Sequence, residues 1–202
     1  MKISIPALLL ATLTSFTLSA QTTELDLDYS NFYKYMKKVK KAELEYADLG
    51  FYLARSDGQG LCNIESGYIE LDEQHKGEVS VLAHGQFVLP YDNDLSLDKA
   101  LVKLTLSEPQ LCDMSVQIQA NLDGGDISLT TLRAVEAELY QLLQKMAGWP
   151  GKYFTPELQG IKLHNADPTQ LINGQSQMKL STAELAENSS MTLPAVRITP
   201  WF

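Results

Sequence analysis

The stretch Met114–Met146, MSVQIQANLDGGDISLTTLRAVEAELYQLLQKM, changes its hydrophobic period halfway along, and this change decides the fold class. From Met114 to Leu122 apolar and polar residues alternate, which is the pattern of a half-buried β-strand. After the turn residues Asp123–Asp126, an apolar side chain recurs every three or four residues, which predicts an amphipathic helix. This apolar stripe consists of Leu129, Leu132, Val135, Leu139, Leu142 and Met146.

Capping residues mark both ends of this helix. Ser128 is a favourable N-cap, Gly148 suits a left-handed C-terminal cap, and Pro150 disfavours a continuation of the helix. We therefore predict a helix over residues 128–147 that packs its apolar stripe against a sheet.

Further strands are predicted on both sides of this stretch. Leu49–Leu53 and Leu101–Leu106 alternate, and Tyr68–Leu71 with Val79–Leu89 is typical of a hairpin across the charged turn Asp72–Gly77. Shorter extended segments are predicted at 160–164 and 193–202. The sequence thus predicts an α+β fold with a mainly antiparallel sheet of about six to eight strands and two packed helices.

The second predicted helix covers residues 29–41 and carries a run of lysines. Tyr29, Phe32, Met36 and Val39 recur at helical spacing and form its apolar face. The remaining faces carry Lys34, Lys37, Lys38, Lys40 and Lys41. Cations late in a helix suit its macrodipole, so a solvated helix face explains these lysines. A docking surface for an anionic polymer or a lipid head group explains them as well, and both interpretations stay open.

The first twenty residues predict export. Lys2 precedes an uncharged apolar stretch from Ile3 to Leu18, and the small residues Ser19 and Ala20 follow. This is the pattern of a cleaved secretory signal peptide. We therefore divide the chain into a signal peptide (1–20), a polar and flexible N-terminal arm (21–28) and a single α+β domain (29–202).

Two cysteines, Cys62 and Cys112, could form one disulfide, remain free thiols or act as a redox pair. A redox pair would need the Cys-x-x-Cys spacing, which the chain lacks. Export to an oxidising compartment favours a structural disulfide that ties the domain together.

The charge balance and the chemical motifs exclude several functions. The formal net charge of −9 argues against a nucleic acid partner, since phosphate binding needs a basic face. Asp92–Asp98 lacks the glycine and glutamate of a calcium loop, and Ser96–Lys99 matches only two positions of a penicillin-recognising serine motif. His75, His84 and His164 show no metal-ligand spacing. We therefore predict no metal site, no cofactor, no catalytic residue and no membrane-spanning segment.

Several phrases together resemble an uncharacterised family of bacterial periplasmic proteins. They are the Tyr/Phe-rich helix that ends in lysines, Leu49-Gly50-Phe51, the Leu-Cys phrases at 61–62 and 111–112, Phe87–Asp92, and Pro194, Ile198 and Pro200 near the C-terminus. The resemblance implies a periplasmic location, and it implies no activity and no site residues.

Three functions are compatible with these features. The first is a non-enzymatic envelope protein that binds an envelope component or another protein, with the lysines of helix 29–41 as the candidate binding residues. The second is a carrier of an apolar or lipid-like ligand beneath helix 128–147. The third is an enzyme that acts on a cell-wall polymer.

Overall fold

Antiparallel strands dominate the structure, a computed structural model that describes residues 23–107, 111–167 and 169–202. The strands in these ranges are β1 (Thr23–Asp28), β2 (Ala47–Arg55), β3 (Ile64–Leu71), β4 (Gln74–Glu78), β5 (Ser80–Val81), β6 (Phe87–Val88), β7 (Leu101–Leu106), β8 (Cys112–Leu122), β9 (Gly125–Ser128), β10 (Gly160–Asn165), β11 (Gln177–Ser181), β12 (Ser190–Leu193) and β13 (Val196–Trp201). The helices are α1 (Tyr29–Lys40), α2 (Asn93–Leu97), α3 (Leu129–Gly151) and α4 (Thr182–Leu185), with a 3₁₀ turn at Lys152–Phe154. The predicted α+β class is confirmed. The signal peptide predicted at 1–20 lies outside the described residues.

The strands divide between sheets in a way that the sequence did not predict. A seven-stranded sheet has the order β11-β10-β13-β8-β2-β6-β5, a four-stranded sheet has the order β1-β7-β3-β4, and β12 pairs with β9. All of these pairings are antiparallel. The alternation of apolar and polar residues indicates which segments are strands, but it does not indicate which strands pair. The sequence therefore predicts one sheet, whereas the structure has two larger sheets and a two-stranded ribbon.

The predicted flexible arm at 21–28 is wrong for residues 23–28. These residues form the edge strand β1, which pairs with β7 from Thr23–Leu106 to Asp28–Leu101. Leu25 and Leu27 are partly buried against an apolar cluster, whereas the acidic residues between them are exposed. The acidic composition suggested a loose arm, but the alternation of leucine with acid is itself a strand pattern.

The predicted hairpin turn at 72–77 is too long. The turn comprises only Asp72 and Glu73, both of which have positive φ (50° and 60°), and strand β4 begins at the next residue. Two consecutive residues in the left-handed region are the geometry of a tight hairpin turn. The charged residues that follow therefore belong to an exposed strand.

Strand β2 connects two apolar clusters. Ala47 and Leu49 belong to the cluster beneath α3, and Phe51 and Leu53 belong to the cluster beneath α1. Because alternate residues of a strand share one face, both helices pack on the same side of β2.

Helix α3 matches its predicted stripe and caps. Five residues of the stripe are buried, namely Leu129, Leu132, Val135, Leu139 and Leu142. The Ser128 hydroxyl accepts a hydrogen bond from the Thr131 amide at 3.0 Å. At the far end Gly148 adopts φ 65° and interrupts the regular helix, as its position in the sequence predicted.

Helix α3 also fixes the segment that joins α1 to β2. The Glu138 carboxylate accepts hydrogen bonds from the backbone amides of Glu45, Tyr46 and Ala47 at 3.1, 2.7 and 3.0 Å. The Lys145 ammonium donates to the Ala42 carbonyl at 3.2 Å. These contacts hold the C-terminal end of α1 beside α3.

The predicted disulfide between Cys62 and Cys112 is confirmed, with a Cα–Cα distance of 6.4 Å. It joins the segment before β3 to the first residue of β8. The Cys62 side chain is buried within the same apolar cluster that receives α1.

Candidate functional site

Buried aromatic side chains fix the orientation of α1. Phe32 is fully buried and meets Phe51 and Phe87 edge to face, with ring centroids 5.1 and 5.5 Å away. The Tyr29 hydroxyl, which is also buried, donates to the Pro90 carbonyl and accepts from the Asp92 amide. One face of α1 is therefore anchored in the core, and the opposite face must lie in solvent.

The five lysines that were predicted as candidate binding residues all lie on this solvent side. The lysine surface consists of Lys34, Lys37, Lys38, Lys40 and Lys41, and each of these residues is exposed. None of them forms an ion pair with another described residue, whereas Lys103 in β7 lies 3.2 Å from Asp26 and 3.4 Å from Glu70. The lysine surface thus presents uncompensated positive charge on a chain whose formal net charge is −9.

Tyrosine rings lie at the edge of the lysine surface. Tyr33 stacks on Tyr91 at 5.0 Å between ring centroids, and the Tyr33 hydroxyl donates to the Asn93 side-chain oxygen at 3.0 Å. The Lys40 ammonium lies 4.3 Å from the centroid of the Tyr91 ring, which is a favourable cation–π distance. The hydrogen bond between the Tyr33 and Tyr91 hydroxyl groups, together with desolvation, raises the pKa of Tyr33 to about 12.

A groove of about 380 Å³ runs beside the helix. It is lined by Asn31, Lys34, Tyr35, Lys38 and Met114. The groove combines two ammonium groups with an amide, an aromatic ring and a thioether. Such a lining can bind an oxyanion and, next to it, an apolar or ring-shaped group.

Asp92, His75 and His84, which belong to the other motifs considered in the sequence, each make a local contact with a nearby residue. The Asp92 carboxylate caps α2 by accepting hydrogen bonds from the amides of Asp94 and Leu95 at 2.8 and 3.2 Å. His75 lies 3.0 Å from Glu78 in the exposed hairpin, and His84 lies 3.1 Å from the Gln86 side-chain oxygen. Within the ranges that the structure describes, no three His, Cys, Asp or Glu side chains are placed to hold a metal ion.

The structure contains a buried polar network that the sequence does not predict. The Tyr52 hydroxyl donates to the Gln119 side-chain oxygen at 2.6 Å, and the Gln119 amide donates to the Gln86 side-chain oxygen at 2.8 Å. All three residues are buried. The alternation of β8 assigns Gln119 correctly to the outer, polar face of the sheet. It gives no sign that the segment before β6 covers that face.

His164 lies on strand β10, where its Nε2 atom is 3.0 Å from the Thr199 hydroxyl. Burial lowers the pKa of His164 to about 4, and the positive charges of Arg197 and Lys162 contribute to the decrease. The imidazole is therefore neutral at neutral pH.

This lowered pKa predicts an acid-dependent loss of stability. The stabilising contribution of neutral His164 is complete above the unfolded-state pKa of 6.5 and is lost as the pH falls through about 4. We expect the thermal midpoint of the wild-type protein to fall more steeply between these pH values than that of His164→Gln, measured by circular dichroism. Carboxylates titrate in both proteins and lower both midpoints. Parallel curves of thermal midpoint against pH would therefore show that His164 contributes nothing to the pH dependence of stability.

The fold and the lysine surface define a sheet-dominated α+β protein with one disulfide and an exposed basic helix. No helix within the described ranges combines the length and the apolar character needed to cross a membrane. The chain belongs to the family described as "Protein of unknown function (DUF2987)", which matches residues 21–164. The predicted resemblance to an uncharacterised family is thereby confirmed. No curated protein and no solved structure matches the chain.

The family match contains α1, both cysteines and α3, and it ends within β10. The strands β11 to β13 lie beyond it. The lysine surface is therefore part of the segment that defines the family.

Proposed function

We propose that the protein is a non-enzymatic binding protein of the bacterial periplasm, and that its lysine surface binds an anionic component of the cell envelope. The observation that carries this proposal is the combination of a helix anchored by buried aromatic rings with five exposed lysines that have no ion-pair partner among the described residues. A solvated helix face needs neither the adjacent groove nor the Tyr91 ring that lies 4.3 Å from the Lys40 ammonium.

The periplasmic location is supported by the signal-peptide pattern of residues 1–20 and by the disulfide. Disulfides persist in oxidising compartments and are rare in reducing ones. A periplasmic protein meets anionic lipid head groups and anionic polymers at the surfaces that enclose it.

Binding at the surface is better supported than transport of an apolar ligand beneath α3. The side chains of Leu132, Val135, Leu139 and Leu142 are fully buried in an apolar cluster that also contains residues of β2, β8, β10 and β13. Interior side chains pack at the density of organic crystals, so no ligand-sized space is expected between these four side chains and the sheet.

We expect the protein without its signal peptide to bind vesicles that contain phosphatidylglycerol and not vesicles of phosphatidylcholine alone. Each lysine near an anionic membrane contributes about 1 kcal/mol, so replacing Lys34, Lys37, Lys38 and Lys41 by Gln is expected to weaken binding by about a hundredfold or more. Vesicle co-sedimentation at fixed salt measures the affinity.

The matched control replaces four exposed lysines outside the lysine surface by Gln, namely Lys76, Lys99, Lys152 and Lys179. This control variant loses the same net charge and should keep near wild-type affinity. Equal losses in both variants would contradict the proposal, since net charge alone would then explain the binding.

Polygalacturonate serves as a second probe, and binding to it in place of vesicles would identify the ligand as an anionic polymer. Failure to bind either probe would also contradict the proposal.

A further inference from the structure

The seven-stranded sheet splits between β8 and β13. The two strands pair only where Ala120–Leu122 meets Val196–Ile198. Beyond these pairs β13 stays with β10 as far as Trp201, and β8 stays with β2 back to Cys112. Two strands that are each paired on their outer side therefore separate from each other, and a cleft of about 390 Å³ opens between them.

The floor of this cleft is apolar. It is lined by Val116, Ile118, Leu143 and Pro200, together with the half-exposed Phe202. Val116 and Ile118 pack against the cluster beneath α3, and Leu143 comes from α3 itself. Because side chains alternate across a strand, a split in the sheet exposes the apolar helix-facing side next to the polar outer side.

The rim of the cleft is polar and carries positive charge. It includes Lys162, His164, Arg197 and Thr199, and the described lining contains no Asp or Glu side chain. The Arg197 guanidinium donates to the Gln117 side-chain oxygen at 3.1 Å through Nη1. Its Nε atom is buried and has no hydrogen-bond partner among the described residues.

The Arg197 guanidinium also lies over the buried Tyr52 ring, with its central carbon 5.6 Å from the ring centroid, and this contact helps to hold it at the rim. The guanidinium has a planar set of donors that matches the geometry of a carboxylate or a phosphate. A second, adjoining pocket of about 330 Å³ also uses His164 and Arg197, so space for an anion extends along the rim. The volume of the cleft is within the range of small-molecule sites.

We propose that this cleft is a binding site for an amphiphilic anion, which is an oxyanion head group joined to an apolar chain. The head group lies against Arg197 and Lys162 at the rim. The apolar chain lies along Val116, Ile118 and Leu143 on the floor. The site is separate from the lysine surface, and it opens between two strands, unlike the carrier cavity expected beneath α3.

Isothermal titration of the oxidised protein with decanoate and with decyl phosphate, both below their micelle concentrations, tests this proposal. We expect at least one of the two to bind, and the tighter one identifies the head group. Decanol and inorganic phosphate should each bind about tenfold more weakly or worse, because each lacks one half of the recognised chemistry. Decanol binding as tightly as both anions, or no binding of either anion, would overturn the proposal.

Two variants test whether the ligand binds in this cleft. Arg197→Gln removes the charge and is expected to weaken binding by about tenfold or more. The matched control is Arg133→Gln, in a pocket on α3 that also contains Glu136 and Glu157, and it should bind as the wild type does. Thermal unfolding without ligand verifies that Arg197→Gln is folded. If it is not, Lys162→Gln must show the loss in its place. Unchanged affinity in the folded variant would refute the site, and the four-lysine variant of α1 should retain binding.

Discussion

Replacing both Cys62 and Cys112 by Ala is expected to lower the free energy of unfolding by about 4 kcal/mol. The disulfide closes a loop over a sequence separation of 50 residues. Such a link lowers the conformational entropy of the unfolded chain, which stabilises the folded state by roughly this amount. Small domains are stable by only about 5–15 kcal/mol in total, so the loss is a large part of the margin. Urea unfolding of the oxidised wild type and the double variant measures the difference.

The wild type with and without reductant is the control for this experiment. Reduction should reproduce most of the effect of the double variant, because both remove the same link. A difference below about 1 kcal/mol in both comparisons would contradict the account, and it would indicate that local hydrogen bonds hold these segments together without the disulfide. The Cys62 amide does donate to the Leu53 carbonyl at 2.8 Å, and the Ser56 amide donates to the Leu111 carbonyl at 3.1 Å.

The second large effect is expected for Phe32→Ala, which should destabilise the protein by about 3–5 kcal/mol. Phe32 is fully buried, and two edge-to-face aromatic contacts surround it. Its removal leaves a cavity between α1, Phe51 and Phe87 that the packed core cannot close. Thermal and urea unfolding measure the loss.

The matched control for this change is Phe32→Leu, which keeps an apolar side chain but loses both aromatic contacts, and it should cost about 1–3 kcal/mol. A further consequence concerns the lysine surface, because Phe32 fixes the orientation of α1. Where Phe32→Ala remains folded, we expect weaker binding to anionic vesicles although no charge has changed. Equal stability of the Ala and Leu variants would contradict the role of Phe32 as the anchor of α1.

The two long helices could be predicted from the sequence because their information is local. The stripe of α3, its cap at Ser128 and its break at Gly148 all lie within one segment. The exposure of the lysines on α1 follows from the same helical period. Strand β1 shows the limit of composition as a guide, since its acidic residues suggested a loose arm although their alternation with leucine indicates a strand.

The cleft could not be predicted because its parts are distant in the sequence. Arg197 and Gln117 are 80 residues apart, and they meet only because β8 and β13 pair briefly and then separate. A strand pattern does not specify its neighbour or the point at which pairing ends. The burial of Gln119 has the same origin, because the segment that covers it belongs to another part of the chain.

Lysine footprinting tests the central claim, that the lysine surface is the binding surface, most directly. The protein is acetylated with and without phosphatidylglycerol vesicles, and mass spectrometry reports the reactivity of each lysine. We predict that Lys34, Lys37, Lys38 and Lys41 become protected when the protein is bound, while Lys76, Lys99, Lys152 and Lys179 keep their reactivity. Protection of the second group with no protection of the first would contradict the account.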